Sequence, residues 1–171
     1  MSVLSSHDSE AEAVTLSGVA LDAWRSYLRS HASILRELDA ELTIDHGITA
    51  RDYQVLLYLD QSDQHKLPMS ALAERTMLTR SGITRLVDGL VGQGLVERAG
   101  CSEDARISYA KLTASGRAKL YGAGASHISS VKRLFLEHFS DAELEQLALL
   151  LGRLPGIWHD PGESGGCAPA P

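Results

Sequence analysis

The sequence predicts a mainly α-helical chain with one small β-wing, in the order α-α-α-α-β-β-α-α: a winged helix-turn-helix flanked by N- and C-terminal dimerisation helices. Three observations carry this prediction. Apolar residues recur at spacings of three and four through most of the 171 residues. Only two short runs, "LVER" and "RISYAKL", have strand character. Long apolar stripes lie at both ends of the chain with no stripe of matching length inside it to cover them, so a second copy is the expected partner.

The elements follow in order. Leu21, Trp24 and Leu28, then Leu35, Leu38 and Leu42, share one face of a long first helix, and His31 falls inside that stripe. Thr49 suits the cap of a second helix over Ala50 to Leu59, with Asp52 in its first turn and Tyr53, Leu56 and Leu57 on one face. The segment "DQSDQHKLP" reads as a loop ending at Pro68, which opens a short third helix over Met69 to Arg75. Thr79 caps the fourth helix. At about 100° per residue, Ile83, Leu86, Val87 and Leu90 face inward while Ser81, Thr84, Arg85 and Asp88 point the other way. Gly92 and Gly94 end that helix. The two strand-like runs come next, separated by "AGCSEDA", which is long for a tight hairpin and ordinary for an extended wing. Thr113 then caps a helix expected to reach about Phe139, weakened by Gly116, Gly122 and Gly124. Finally "SDAE", Ser140 to Glu143, reads as a capping box before "LEQLALLLGRL". The expected organisation is a flexible N-terminus over 1–15, dimerisation helices over 16–48 and 113–154, a winged helix-turn-helix over 49–112, and a flexible tail over 155–171.

Charge is divided along the chain. The formal total is −6 and the pI about 5.6, yet Lys66 to Lys119 holds nine lysines and arginines against five acidic residues, a local +4 that leaves −10 elsewhere. A basic segment of this kind is an electrostatic footprint for nucleic acid that the overall pI conceals.

Other classes find less support. No nucleophile beside a base, metal-ligand spacing or phosphate cradle is recognisable, so no catalytic residue, metal or cofactor is expected. The glycines of "GLVGQG" close a helix before a strand, the reverse of the order in a dinucleotide fold. Cys101 and Cys167 are far apart, and both read as reduced thiols. With no basic, apolar leader and no long apolar span, a soluble cytoplasmic protein with no membrane association is expected.

Helices three and four, joined by "TMLT", have the proportions of a helix-turn-helix, whose second helix would enter the DNA major groove. Arginine pairs with guanine edges, while serine and threonine reach bases or phosphates. Taken alone, the same pattern also fits Arg80 and Arg85 as charges solvating a surface helix.

The stretch "MSALAERTMLTRSGITRLVDGLVGQGLVER", followed by "EDARISYAKLTASG", resembles the MarR family of winged-helix transcription regulators over about Leu16 to Leu154. The resemblance implies a homodimer held by the first and last helices, bound to a pseudo-palindromic double-stranded operator, with the fourth helix in the major groove. By position it makes Arg80, Ser81, Thr84 and Arg85 groove and phosphate contacts, Arg106 the wing contact in the minor groove, and Asp104 its brace. Two residues depart from the pattern. Gly82 stands where a small polar residue is common, and Ala105 replaces a frequent second wing arginine.

The resemblance further implies a repressor released by a small phenol or aromatic acid. Trp24 supplies an aromatic wall, and Arg25 and His31 are the candidate donors to such an anion, reaching it from different sides. The competing reading makes Arg25 a solvated edge residue and His31 a hydrogen-bonded core histidine. Two further alternatives stay open: a winged-helix protein-interaction module, and a redox-responsive regulator using Cys101, beside which no base is evident.

Overall fold

The computed structural model describes residues 16–100 and 107–154. The flexible ends expected at 1–15 and 155–171, together with Cys101, Asp104, Ala105, Arg106 and Cys167, lie outside the described residues. Among the described residues, those up to Ser33 form one compact unit and those from Ile34 onward a second. The first helix, α1 (Gly18–His46), begins in the former and continues in the latter.

Within the first unit, the aromatic side chains of α1 make a ladder. Trp24, Tyr27 and His31 follow the three-and-four spacing of one helical face, and successive ring centroids lie 6.1 Å apart in near-parallel stacks. All three are exposed, so His31 is not a core histidine in the single chain.

The second unit contains the core. α2 (Ala50–Asp60) begins at a reciprocal cap: the Asp52 amide donates to the Thr49 hydroxyl at 3.1 Å, and the Thr49 amide donates back to the Asp52 carboxylate at 2.9 Å. A turn of 3₁₀ helix over Asp63–His65 leads to β1 (Lys66–Pro68), and α3 (Met69–Arg75) follows directly. After the turn come α4 (Arg80–Gly92), β2 (Val96–Gly100) and β3 (Ser108–Leu112). α5 (Ala114–Leu134) and α6 (Asp141–Leu151) complete the described chain. Val55, Leu56, Leu59, Leu72, Ile83, Val87, Leu90 and Ala110 are fully buried, so α2, α3, α4 and β3 enclose one apolar centre, capped by Leu120 and Ala123 of α5.

The sheet corrects one expectation. Lys66–Pro68, read as the end of a loop, pairs antiparallel with β3, giving a three-stranded sheet in the order β1-β3-β2. A three-residue strand leaves almost no period to read, and Pro68, which has no N–H to donate, is tolerated because β1 is an edge. Lys66 faces Lys111 across the β1·β3 pair. Their repulsion is relieved because Lys66 sits 4.5 Å over the Tyr109 ring and Lys111 pairs with Glu97 at 2.9 Å.

α5 also ends earlier than expected. It stops at Leu134, where Phe135 leaves helical geometry (φ −136°, ψ −61°), and a 3₁₀ turn over Leu136–His138 follows. The Phe135 and Phe139 rings pack at 5.4 Å across that turn, a contact that continuous periodicity does not announce. At α6, the Ser140 amide and hydroxyl both donate to the Glu143 carboxylate at 2.8 Å, holding its carboxyl below the ordinary value.

Gly116, expected only to weaken α5, has a structural task. Thr113 caps α5 by accepting from the Gly116 amide at 3.0 Å, and its own amide donates to the Leu95 carbonyl at 3.1 Å. The first turn of α5 is thereby pressed onto the start of the wing. A Cβ at position 116 would stand 2.0 Å from the Leu95 oxygen, a backbone atom that cannot swing aside. Gly116→Ala is therefore expected to destabilise the protein by about 3 kcal/mol or more, as overpacking against fixed atoms does. Gly122→Ala, with nothing within 4 Å of the added carbon, should be neutral or stabilising by up to about 1 kcal/mol. Urea unfolding of the two variants beside the parent checks both signs.

His127 of α5 gives a pH signature. Its ring leans on Tyr53 at 4.3 Å, its buried Nδ1 has no hydrogen-bond partner among the described residues, and burial holds its pKa below the ordinary 6.5. The unfolded chain therefore binds a proton near pH 6.5 that the folded chain refuses, so this stability is complete above that pH and declines as pH falls toward the folded pKa. His127→Phe should flatten the dependence of melting temperature on pH as pH falls below about 6.5, whereas an unchanged slope would assign it to other groups.

Candidate nucleic-acid interface

The connection between α3 and α4 is built by backbone and side-chain hydrogen bonds rather than by glycine. The Thr76 hydroxyl, buried, donates to the Leu72 carbonyl at 2.6 Å, and the Leu78 amide donates to the Ala73 carbonyl at 2.9 Å. Between them Met77 takes a left-handed φ of 53° and is 71% exposed. A methionine there gives no turn signal in the sequence, because glycine or asparagine is the usual choice for that conformation.

Thr79 then caps α4, accepting from the Gly82 amide at 3.2 Å. A Cβ at position 82 would meet the Thr79 hydroxyl oxygen at 3.2 Å, so the missing side chain leaves the cap uncrowded at the helix start. Ile83, Val87 and Leu90 are buried and Leu86 is partly so, which turns the opposite face of α4 outward.

On that face Thr79, Arg80, Ser81, Thr84, Arg85 and Asp88 line one shallow concavity. The structure thus brings together four of the six residues expected to contact DNA, and the other two, Asp104 and Arg106, lie outside the described residues. Arg80, Ser81 and Arg85 are exposed and Thr84 is half-buried. Neither Arg80 nor Arg85 has a carboxylate partner among the described residues.

Sequence reasoning put Asp88 on this face and missed what holds it. The Arg98 guanidinium of β2 donates to Asp88 through Nη2 at 2.7 Å and through Nε at 3.1 Å. The clamp ties the second half of α4 to the first wing strand and neutralises the acidic residue on the face, leaving the two free guanidiniums to set its sign. Being exposed, it adds under about 1 kcal/mol to stability. The signal was legible only as a pair of opposite charges ten residues apart, on elements whose packing the sequence does not give.

The expected ligand residues fall elsewhere. Trp24, Arg25 and His31 are all exposed on the first unit's part of α1, and Trp24 and His31 are linked through Tyr27, which the sequence reading did not single out. Among the described residues, no group of His, Cys, Asp and Glu is placed to hold a metal ion, and no helix is long and apolar enough to cross a membrane.

Two helices joined by a tight turn, the second followed by an antiparallel sheet strapped to it through Arg98, define a winged helix-turn-helix protein. The family model described as MarR family matches residues 46–107. The HTH-type transcriptional repressor YetL of Bacillus subtilis is 32% identical over 108 residues, a stretch that covers 63% of this chain and 64% of that relative, somewhat less than two thirds of its length. Sco3205, a MarR family transcriptional regulator from Streptomyces coelicolor solved in complex with DNA, is 27% identical with a TM-score of 0.78, over 81% of this chain and 90% of that one. CouR from Rhodococcus jostii RHA1, solved bound to p-coumaroyl-CoA, is 26% identical with a TM-score of 0.67, over 78% of this chain and 93% of that one. Over residues 46–107 the chain is therefore similar to the MarR family, and its fold is that of the winged-helix regulators solved from that family.

Proposed function

We propose that the protein is a homodimeric transcriptional repressor that inserts α4 into the major groove of a pseudo-palindromic operator and is released by a small aromatic acid or phenol. The observation that carries the DNA reading is the outward face of α4, where Arg80 and Arg85 stand exposed and, among the described residues, without a carboxylate partner, beside an aspartate already neutralised by Arg98. A structural neighbour solved on DNA has the same fold. Arg85 supplies a guanidinium that meets guanine bidentately, Arg80 and Ser81 reach phosphate or base edges, and Arg106, braced by Asp104, enters the adjacent minor groove.

Dimerisation is supported by apolar surface left open in the single chain. Val19, Trp24, Tyr27, Leu28 and Leu35 of α1 are exposed, as are Leu149 and Leu150 of α6, a helix with no buried residue at all. Surface of that extent on terminal helices calls for a partner, and a second copy brings two reading helices to successive turns of the duplex.

Gel shifts on DNA upstream of the protein's own coding sequence test the reading. Arg85→Ala should lose about 1–3 kcal/mol of specific binding with little change in non-specific affinity. Arg106→Ala should instead weaken binding more uniformly and flatten its salt dependence. Parental affinity in both variants, or a monomeric mass in sedimentation at low micromolar concentration, would count against the docking.

For the ligand, Trp24, Arg25 and His31 are the proposed contacts, with Arg25 as the cation for a carboxylate. A hundredfold loss of operator affinity requires about 2.7 kcal/mol of difference between the two states in their affinity for the ligand. Arg25→Ala is expected to bind operator like the parent and to ignore the inducing acid. A dose curve equal to the parent's would rule this anion site out.

A further inference from the structure

The outward face of α4 has fewer hydrogen-bonding groups to offer a partner than its residue types promise. The Thr84 hydroxyl donates its single hydrogen to the Arg80 carbonyl, one turn back, at 2.8 Å. With that hydrogen spent on the preceding turn, the side chain has no donor left for a partner, and its methyl group is what it can bring to a base edge by apolar contact. Asp88 is engaged by Arg98, and Gly82 has no side chain. In the middle of the face there remain one guanidinium, Arg85, and, next to it in sequence, one methyl group.

We infer that Thr84 is a specificity-determining residue that reads the C5-methyl of a thymine by apolar contact, beside the base met by Arg85. The inference rests on the reading of α4 as the helix that enters the major groove. In that groove thymine alone among the four bases carries a methyl group, so a side chain with no donor to spare still discriminates there. Cytosine or adenine at the same step would offer the Thr84 methyl a polar edge to desolvate instead of a carbon to cover. A threonine whose hydroxyl read the base would behave differently, because it would sense the hydrogen-bonding edge and be indifferent to the methyl.

The experiment uses the full chain throughout. Selection from a random duplex library gives the preferred operator, and each thymine of one half-site is then replaced singly by deoxyuridine, which pairs identically and lacks only the methyl. For the parent, one such replacement should weaken binding about fourfold, the worth of one buried methyl group. T84S keeps the hydroxyl and loses the methyl, so the same replacement should change its affinity by less than about 1.5-fold, well inside one methyl group. T84V keeps a methyl and loses the hydroxyl, and it should retain the parent's fourfold sensitivity, which also guards against a folding defect in T84S. If no thymine responds in the parent, or T84S responds as the parent does, the inference fails while operator binding stands. If selection yields no preferred sequence, the reading of α4 itself falls and this inference falls with it.

Discussion

The close seating of α5 on the start of the wing is the contact on which the rest of the second unit depends. The Leu95 carbonyl receives the Thr113 amide, and the backbone around it occupies the space a side chain at position 116 would need. Because Leu95 follows α4 by three residues and Val96 begins β2, this one carbonyl fixes where the fourth helix ends, where the wing begins and where α5 leaves. The buried faces of α4 and β3 meet in one apolar cluster, which turns the opposite face of α4 outward. An interaction of two hydrogen bonds and one absent carbon thereby sets the geometry of a surface on the far side of the helix.

The electrostatics of that surface follow a second economy. The chain carries an overall excess of acid, yet the face of α4 presents two arginines that have no carboxylate partner among the described residues, because the carboxylate of Asp88 is taken up by Arg98 from the neighbouring strand. Hydroxyls are treated in the same way: Thr79 caps the helix and Thr84 bonds back to Arg80. Polar groups that look available in a helical wheel are already satisfied, and the few left free are well separated in chemistry. Selectivity on such a face comes from which groups have been withdrawn as much as from which remain.

Much of the fold was legible in the sequence, for reasons that can be named. The caps at Thr49, Thr79, Thr113 and Ser140 all precede helices, since a hydroxyl three residues before a free amide is a local arrangement. The inward set Ile83, Val87 and Leu90 followed from period alone. What escaped was non-local or conformationally unusual: β1, too short for a period; the break at Phe135, made by a ring that returns from Phe139; and the left-handed Met77. For the candidate site, the residues on one helix were legible together because a helix fixes their relation, whereas the Arg98 clamp required knowing that β2 packs beside α4. Gly116 shows the same limit, because its neighbour is a backbone atom twenty-one positions earlier in the chain.

The missed strand also has a kinetic meaning. β1 lies before α3 and pairs with β3, which lies after β2, so both helices of the helix-turn-helix sit inside a loop that the sheet closes at Pro68 and Tyr109. Closing a loop of about forty residues costs on the order of 3 kcal/mol in chain entropy before any pairing energy is returned. The two helices cannot be finished one after the other as a local hairpin would be. They reach their native spacing together, when the ends of the loop meet, and a segment excised between residues 69 and 107 would carry the recognition sequence without the closure that gives it shape.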